Sequence, residues 1–406
     1  MLLPDDNVKI VTTHTNNVIN IYHFDFDDED HFLSLSDDGQ IIEWSFNKET
    51  EEIKEIEKCN LVRPSDELLL TNNHQIPKIP KGDYIRITKS LIISNFIFLG
   101  YEDGLILVYL VEKQEKQKNE EEEEENQINK NTKNYYNSYS LLFILLGHTQ
   151  KITALYFVED IKLLVSASDT SIVKVYNMEN GHSMYHFNLD CIITKIELVE
   201  KKTGKNLVFL CDEPYKLVID ISKEPISFNH YTFKYNDGKQ LIKGNKEFYI
   251  LGNSTYIYKF NNDFDYVSTY STVDKIDFDY ICPFGNQFII FDNDNFMRLC
   301  ELKEIKKENR INMVLRVKCG KDNINFCYNS MDKFLFSASQ DNTVYFINIE
   351  KLKDLEWERN KMNEEDALSA AMLLELGKKK GKGKGKGAKG KGGDKKEKLP
   401  KIKKKK

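Results

Sequence analysis

The sequence predicts an all-β protein in which one short structural unit is repeated along the chain. Three observations carry this. Val, Ile, Phe and Tyr dominate the apolar residues, with 24 Phe and 21 Tyr in 406 positions, and β-branched and aromatic side chains suit a pleated surface better than a helix. A segment of common outline, small-x-small-x-Asp-(Gly/Asn)-polar and then an apolar run, stands at 34–45 (SLSDDGQIIEWS) and 337–348 (SASQDNTVYFIN). Close variants of it stand at 99–110 (LGYEDGLILVYL) and 166–177 (SASDTSIVKVYN).

Each copy has the chemistry of a β-hairpin. Asp-Gly or Asp-Asn supplies a turn residue that tolerates positive φ, and the flanks alternate or run apolar as strands do. The copy at 166–177 has Thr170 where the first and last copies have Asp38 and Asp341. A further strand precedes it in GHTQKITALYFVEDIKLLVSASDTSIVKVYN, 147–177, which opens on Gly147-His148 and closes on Tyr176-Asn177. Three weaker units, at 206–222, 247–261 and 286–302, each read strand, polar turn, strand.

A unit that opens with Gly-His and ends near an aromatic residue resembles the WD40 repeat, whose 40–45 residues form one four-stranded propeller blade. The four clearer and three weaker units together imply a seven-bladed WD40-type β-propeller over 1–350. The opening NVKIVTTH, 7–14, would supply the outermost strand of the last blade and remove the free edges. The resemblance also implies a hydrogen-bonded network inside each blade. Carried onto this sequence, it uses His14, Ser36, Asp38 and Trp44 in the first repeat and Asp103 in the second, where Tyr109 stands in the place of Trp44. It uses His148, Ser168 and Tyr176 in the third, and Ser339 and Asp341 in the last, where Ile347 takes the aromatic place.

Two insertions interrupt the spacing. Residues 113–139, with Glu120–Glu125 unbroken, lack the apolar surface to offset chain entropy, and are expected to form a disordered loop between blades two and three. The stretch 47–82 reads as the outer strand of blade one, a short helix capped by Ser65 and an extended connector. After Lys351 the strand pattern ends. Asn363 followed by Glu364, Glu365 and Asp366 is a helix start within a 351–377 extension, and Gly377 is its stop. Leu368, Met372, Leu373 and Leu376 would give this helix an apolar face for a partner.

The net charge of −6 hides two opposed parts. In 378–406, sixteen Lys against Asp394 and Glu397 give +14, which leaves −20 on the preceding 377 residues. This Lys/Gly tail is expected to be disordered and to bind polyanions by counterion release, without reading sequence, since it holds no aromatic for base stacking. Lys395, Lys396, Lys398, Lys401 and Lys403, Lys404, Lys405, Lys406 also match the composition of a nuclear or nucleolar address.

The sequence holds no nucleotide-binding loop, nucleophile elbow or zinc-protease motif, so no catalytic residue, cofactor, metal ligand or small-molecule substrate is expected. His182 and His186 are four apart but on an expected strand, and 292–295 (DNDN) reads as a hairpin turn. Seven scattered Cys point to a reducing compartment and mostly buried thiols. No apolar run, LLFILL at 141–146 included, is long enough to span a bilayer. The expected role is a non-enzymatic scaffold for protein partners in a nuclear or nucleolar complex, in ribosome biogenesis, with the tail on RNA. The alternative is a cytoplasmic adaptor in a cytoskeletal (microtubule or ciliary) or trafficking complex, with the tail on acidic tubulin tails or anionic membrane.

Overall fold

The computed structural model describes most of residues 8–351; the longest gaps are 65–84 and 116–134, and residues 1–7 and 352–406 lie outside the described residues. The predicted Ser65 helix, the Glu120–Glu125 run, the 351–377 helix and the Lys tail therefore fall outside them. Residues 1–353 make one compact unit.

Among the described residues, the strands fall into seven four-stranded antiparallel groups. Six follow the chain in order: 18–60, 87–145, 152–188, 193–232, 238–271 and 278–318. The seventh joins Ile324–Met331, Phe334–Ser339 and Thr343–Asn348 to the N-terminal strand Val8–Thr12, which pairs with the last of these from Val8↔Ile347 to Thr12↔Thr343. The first strand of each group packs on the first strand of the next, and Ile324–Met331 packs on Val18–Phe24. The succession of neighbours thus closes on itself, as the blades of a β-propeller do.

The core is divided between the blades. Leu33, Leu35 and Ile41 of blade one meet Ile97, Leu99 and Leu107 of blade two. Blade two turns its other face, with Phe98, Ile106 and Val108, to Ile152, Phe157 and Tyr176 of blade three. At the closure, Val344 of blade seven joins Phe32, Ile42 and Trp44 of blade one. A sheet covered on both faces must be apolar on both, so its strands lose the alternation of a half-exposed strand. Phe96–Tyr101, Leu163–Ser168, Phe248–Gly252 and Gln287–Asp292 are accordingly almost wholly buried.

One device recurs in every blade. The pairing of the innermost strand with the second slips by one residue directly after the first pair: at Val18/Asn20, Ile87/Lys89, Ile152/Ala154, Ile193/Lys195, Gly238/Gln240, Phe278/Tyr280 and Ile324/Phe326. Such a bulge sharpens strand twist, and it marks the middle units as copies of the clearer ones. Blades five and six are further joined at their outer strands by a parallel bridge, Ser271↔Arg310.

The compositional insertion is narrower than expected. Ile106–Glu115 and Tyr135–Leu145 continue their ladder to Glu115↔Tyr135, so 113–115 and 135–139 are strand. Likewise 47–82 begins as expected, with the outer strand Glu52–Asn60.

The Asp-Gly turns follow one pattern. Gly39 N–H donates to Ser36 O and Gly104 N–H to Tyr101 O, with φ of 89° and 86°. In blade three Ser171 takes that left-handed place, with φ 60°. Gly104 is doubly constrained, because a Cβ there would sit 2.6 Å from the His148 backbone. Gly104→Ala is expected to lower the urea midpoint, by roughly 1–3 kcal/mol of strain before any clash is added. An unchanged midpoint would contradict the fit of this turn against blade three.

Candidate functional site

The inner strand of a blade runs antiparallel to the second, so its start lies beside the other's end: Val18 faces Ser36, Ile87 faces Tyr101 and Ile152 faces Ser168. The connection into each blade and the turn between its second and third strands therefore share one face. The sequence-derived network residues gather there, but their partners differ from expectation.

In blade one, His14 Nε2 lies 2.7 Å from Ser34 Oγ, which also accepts the Trp44 Nε1–H at 2.8 Å. The serine that joins histidine to tryptophan is thus Ser34 and not Ser36. Ser36 Oγ instead donates to Asp38, whose carboxylate also accepts Asn16 Nδ2 at 2.7 Å, Thr15 Oγ1 at 3.3 Å and the Gln40 N–H at 3.3 Å. The single expected network is two: a buried His–Ser–Trp relay, and a carboxylate clasp that ties the entering connection to the turn. The clasp's hydrogen bonds outweigh desolvation and hold Asp38 below the usual carboxylate range.

Blade three repeats the histidine–serine contact but not the carboxylate clasp. His148 Nε2 lies 2.7 Å from Ser166 Oγ, while Tyr176 OH donates to Leu146 O at 3.2 Å. Ser168, expected beside His148, pairs with Thr170 at 2.8 Å, so a hydroxyl pair stands where blade one has Ser36 and Asp38. In blade two, Asp103 accepts the Leu105 N–H at 3.1 Å and pairs with Arg63 from the preceding connection. In blade seven, Ser339 ends its strand, and Asp341 lies outside the described residues, as do the helix and tail residues named above. Blade six uses a different buried pair, Arg298 with Asp292.

The aromatic place has a structural signature too. The pairing of third and outer strands slips at Glu43/Trp44, Val108/Tyr109, Val175/Tyr176, Lys259/Phe260 and Leu299/Cys300. Trp44, Tyr109, Tyr176, Phe260 and Cys300 are therefore equivalent positions.

Polar ties also cross between blades. Thr88 Oγ1 donates to Ile152 O at 2.7 Å, and Tyr22 OH to Ser90 Oγ at 2.9 Å. Buried Glu43 receives Asn137 Nδ2 of blade two at 2.7 Å and lies 3.2 Å from His31 Nδ1. Toward the ring's axis, Lys89 and Lys195 hold the same position, just after the bulge. Close surrounding by protein lowers the Lys89 pKa, and Lys195 and Lys151 add like charge. Lys195 lies 3.7 Å from Glu197, whose pKa burial raises.

Among the described residues, no three His, Cys, Asp or Glu side chains are grouped to hold a metal ion. No helix among them is long and apolar enough to cross a membrane. The five described cysteines form no disulfide, and four of them are buried.

Comparison with known proteins matches residues 139–177 to the family described as WD domain, G-beta repeat. Residues 139–177 are a WD40 repeat. The solved structure of U3-55K is similar with a TM-score of 0.58 at 12% identity, covering 85% of this chain and 99% of that one. The crystal structure of the RRP9 WD40 repeats is similar with a TM-score of 0.58 at 13% identity, covering 85% and 98%. At these identities the likeness establishes the WD40 propeller fold alone. No curated protein matches the sequence.

The matched repeat contains the third blade's relay, and its chemistry is structural: burial holds both WD40 histidines neutral. Desolvation, with Lys58 and Lys174 adding positive charge, lowers His14 to about 4 and His148 to about 3 from 6.5. The unfolded chain therefore binds protons that the folded chain refuses, so stability falls as pH drops from about 6.5 toward 4. Each histidine accounts for on the order of 3 kcal/mol. In urea titrations from pH 7 to pH 4, the wild type should lose more stability than a His14→Gln/His148→Gln variant. Equal losses would contradict buried, neutral histidines.

Proposed function

We propose that this protein is a non-enzymatic scaffold that joins protein partners in a nuclear or nucleolar complex, in ribosome assembly, and touches RNA through its C-terminal lysines. The coarser part follows from the fold: a WD40 propeller is a rigid platform whose faces and rim serve protein–protein contact. The finer part rests on one observation, the +14 charge of 378–406 set against −20 on the rest of the chain.

Charge of that density attracts phosphates, and each one neutralised releases counterions, so affinity is strongly salt-dependent. An acidic propeller does not share that attraction, so the contact is confined to one end of the chain. The segment's lysines alternate with glycine through 380–387 and contain no aromatic, which favours charge contact over base readout. Apolar Leu368, Met372, Leu373 and Leu376 just before it give the protein partner a place to dock next to the RNA contact.

The test compares the full chain with one ending at Gly377. The full chain is expected to concentrate in the nucleolus and to bind single-stranded RNA with affinity that falls on the order of 10²–10⁴-fold between 50 and 200 mM salt. The shortened chain should spread into the cytoplasm and lose both the binding and its salt slope. Cytoplasmic or filament-bound full-length protein, preferring microtubules or anionic vesicles at matched salt, would overturn the nuclear reading in favour of a cytoplasmic adaptor.

A further inference from the structure

The clasp between the connection into a blade and the end of its second strand is polar in blade one and sulfur in blade four. Blade one places Asn16 two residues before the inner strand and Ser36 opposite that strand's first residue, Val18, with Asp38 bonded to both. In blade four, the inner strand begins at Ile193 and pairs it with Cys211. Cys191 thus holds the place of Asn16, and Cys211 that of Ser36. Their sulfurs lie 3.0 Å apart, inside ordinary sulfur–sulfur contact and about 1 Å beyond a covalent bond.

We propose that Cys191 and Cys211 are a modification site: under peroxide they form a reversible disulfide that latches the connection between blades three and four to the second strand of blade four. One thiol attacks a peroxide oxygen and its proton goes to the departing hydroxide, which gives a sulfenic acid and water. The second thiol attacks that sulfur, forms the S–S bond and releases a second water; both cysteines are oxidised and the peroxide is reduced. Closing the remaining gap needs movement of one element only, the connection that carries Cys191. Cys191 lies in a connection outside the sheet, between exposed Asp190 and half-buried Ile192, whereas Cys211 is fixed in a strand.

The surroundings suit this chemistry. Cys191 and Cys211 share one buried cluster with Ala167, Val173, Ile193 and Phe209, so a sulfenic acid formed on either has its partner thiol within reach. Asp190, next to Cys191, is the point at which the connection meets solvent, and opening there admits the small oxidant. The latch lies on the face that carries the entering connections and the Asp-Gly turns, so closing it would stiffen one sector of the scaffold's contact surface. It stands independently of what the C-terminal lysines bind.

The experiment uses the full, native chain. It is treated with hydrogen peroxide, its remaining thiols are alkylated after denaturation, and its peptides are mapped by mass spectrometry with and without dithiothreitol. The expected result is one peptide pair joined through residues 191 and 211 and released by the reductant. Both cysteines remaining alkylatable while half-exposed Cys59 is oxidised would overturn the proposal. Linkage of either to a different cysteine, or separate sulfinic acids at 191 and 211, would also overturn it.

Discussion

A four-stranded antiparallel sheet that is apolar on both faces cannot stand alone in water; it must be covered on both sides. Every other feature of this protein follows from that constraint. Each blade covers one face of its neighbour, and the line of blades has no natural end until it meets itself. The Val8–Thr12 strand provides that meeting by joining chain start to chain end within one sheet. Phe32, Trp44 and Val344 fill the seam behind it. The core is therefore a circle of interblade layers, and no blade is stable by its own packing.

Polar groups then decide how the blades are oriented. The His14–Ser34–Trp44 relay fixes the entering connection of blade one against its third strand. Glu43 and Asn137 tie that strand to the outer strand of blade two. Buried groups of this kind stabilise only when all their partners are in place, so they hold geometry more than they add energy. The face left over is built from turns and entering connections, which suits a platform for partners.

The fold was largely legible in the sequence, because hairpin turns leave local marks. Asp38-Gly39 and Asp103-Gly104 announced their blades, and NVKIVTTH was readable as the closing strand. The weak units at 206–222, 247–261 and 286–302 became two central strands of blades four, five and six. The bulge that unites all seven inner strands was not visible, since it requires no residue type: Ile19, Thr88, Thr153, Thr194, Lys239, Asp279 and Asn325 all occupy it. The relay was half legible. Ser34 and Ser36 are two apart on one strand and point to the same side, so pattern alone cannot say which one reaches His14. The Cys191–Cys211 pair left no mark either, because its spacing is that of a strand and a connection, and only the register brings the sulfurs together. Thr170 stands where other copies have Asp, yet its hydroxyl takes up Ser168 as the Asp38 carboxylate takes up Ser36.

Closure of the ring by the N-terminal strand is the claim on which the account depends, and hydrogen exchange tests it directly. Amides of 343–348 are compared between the full chain and one lacking residues 1–12. The account predicts that they are as protected as the central strands of other blades in the full chain, and that the deletion exposes them and loosens the blade-one seam at Phe32. Equal protection in both chains would mean that the ring closes without its first strand.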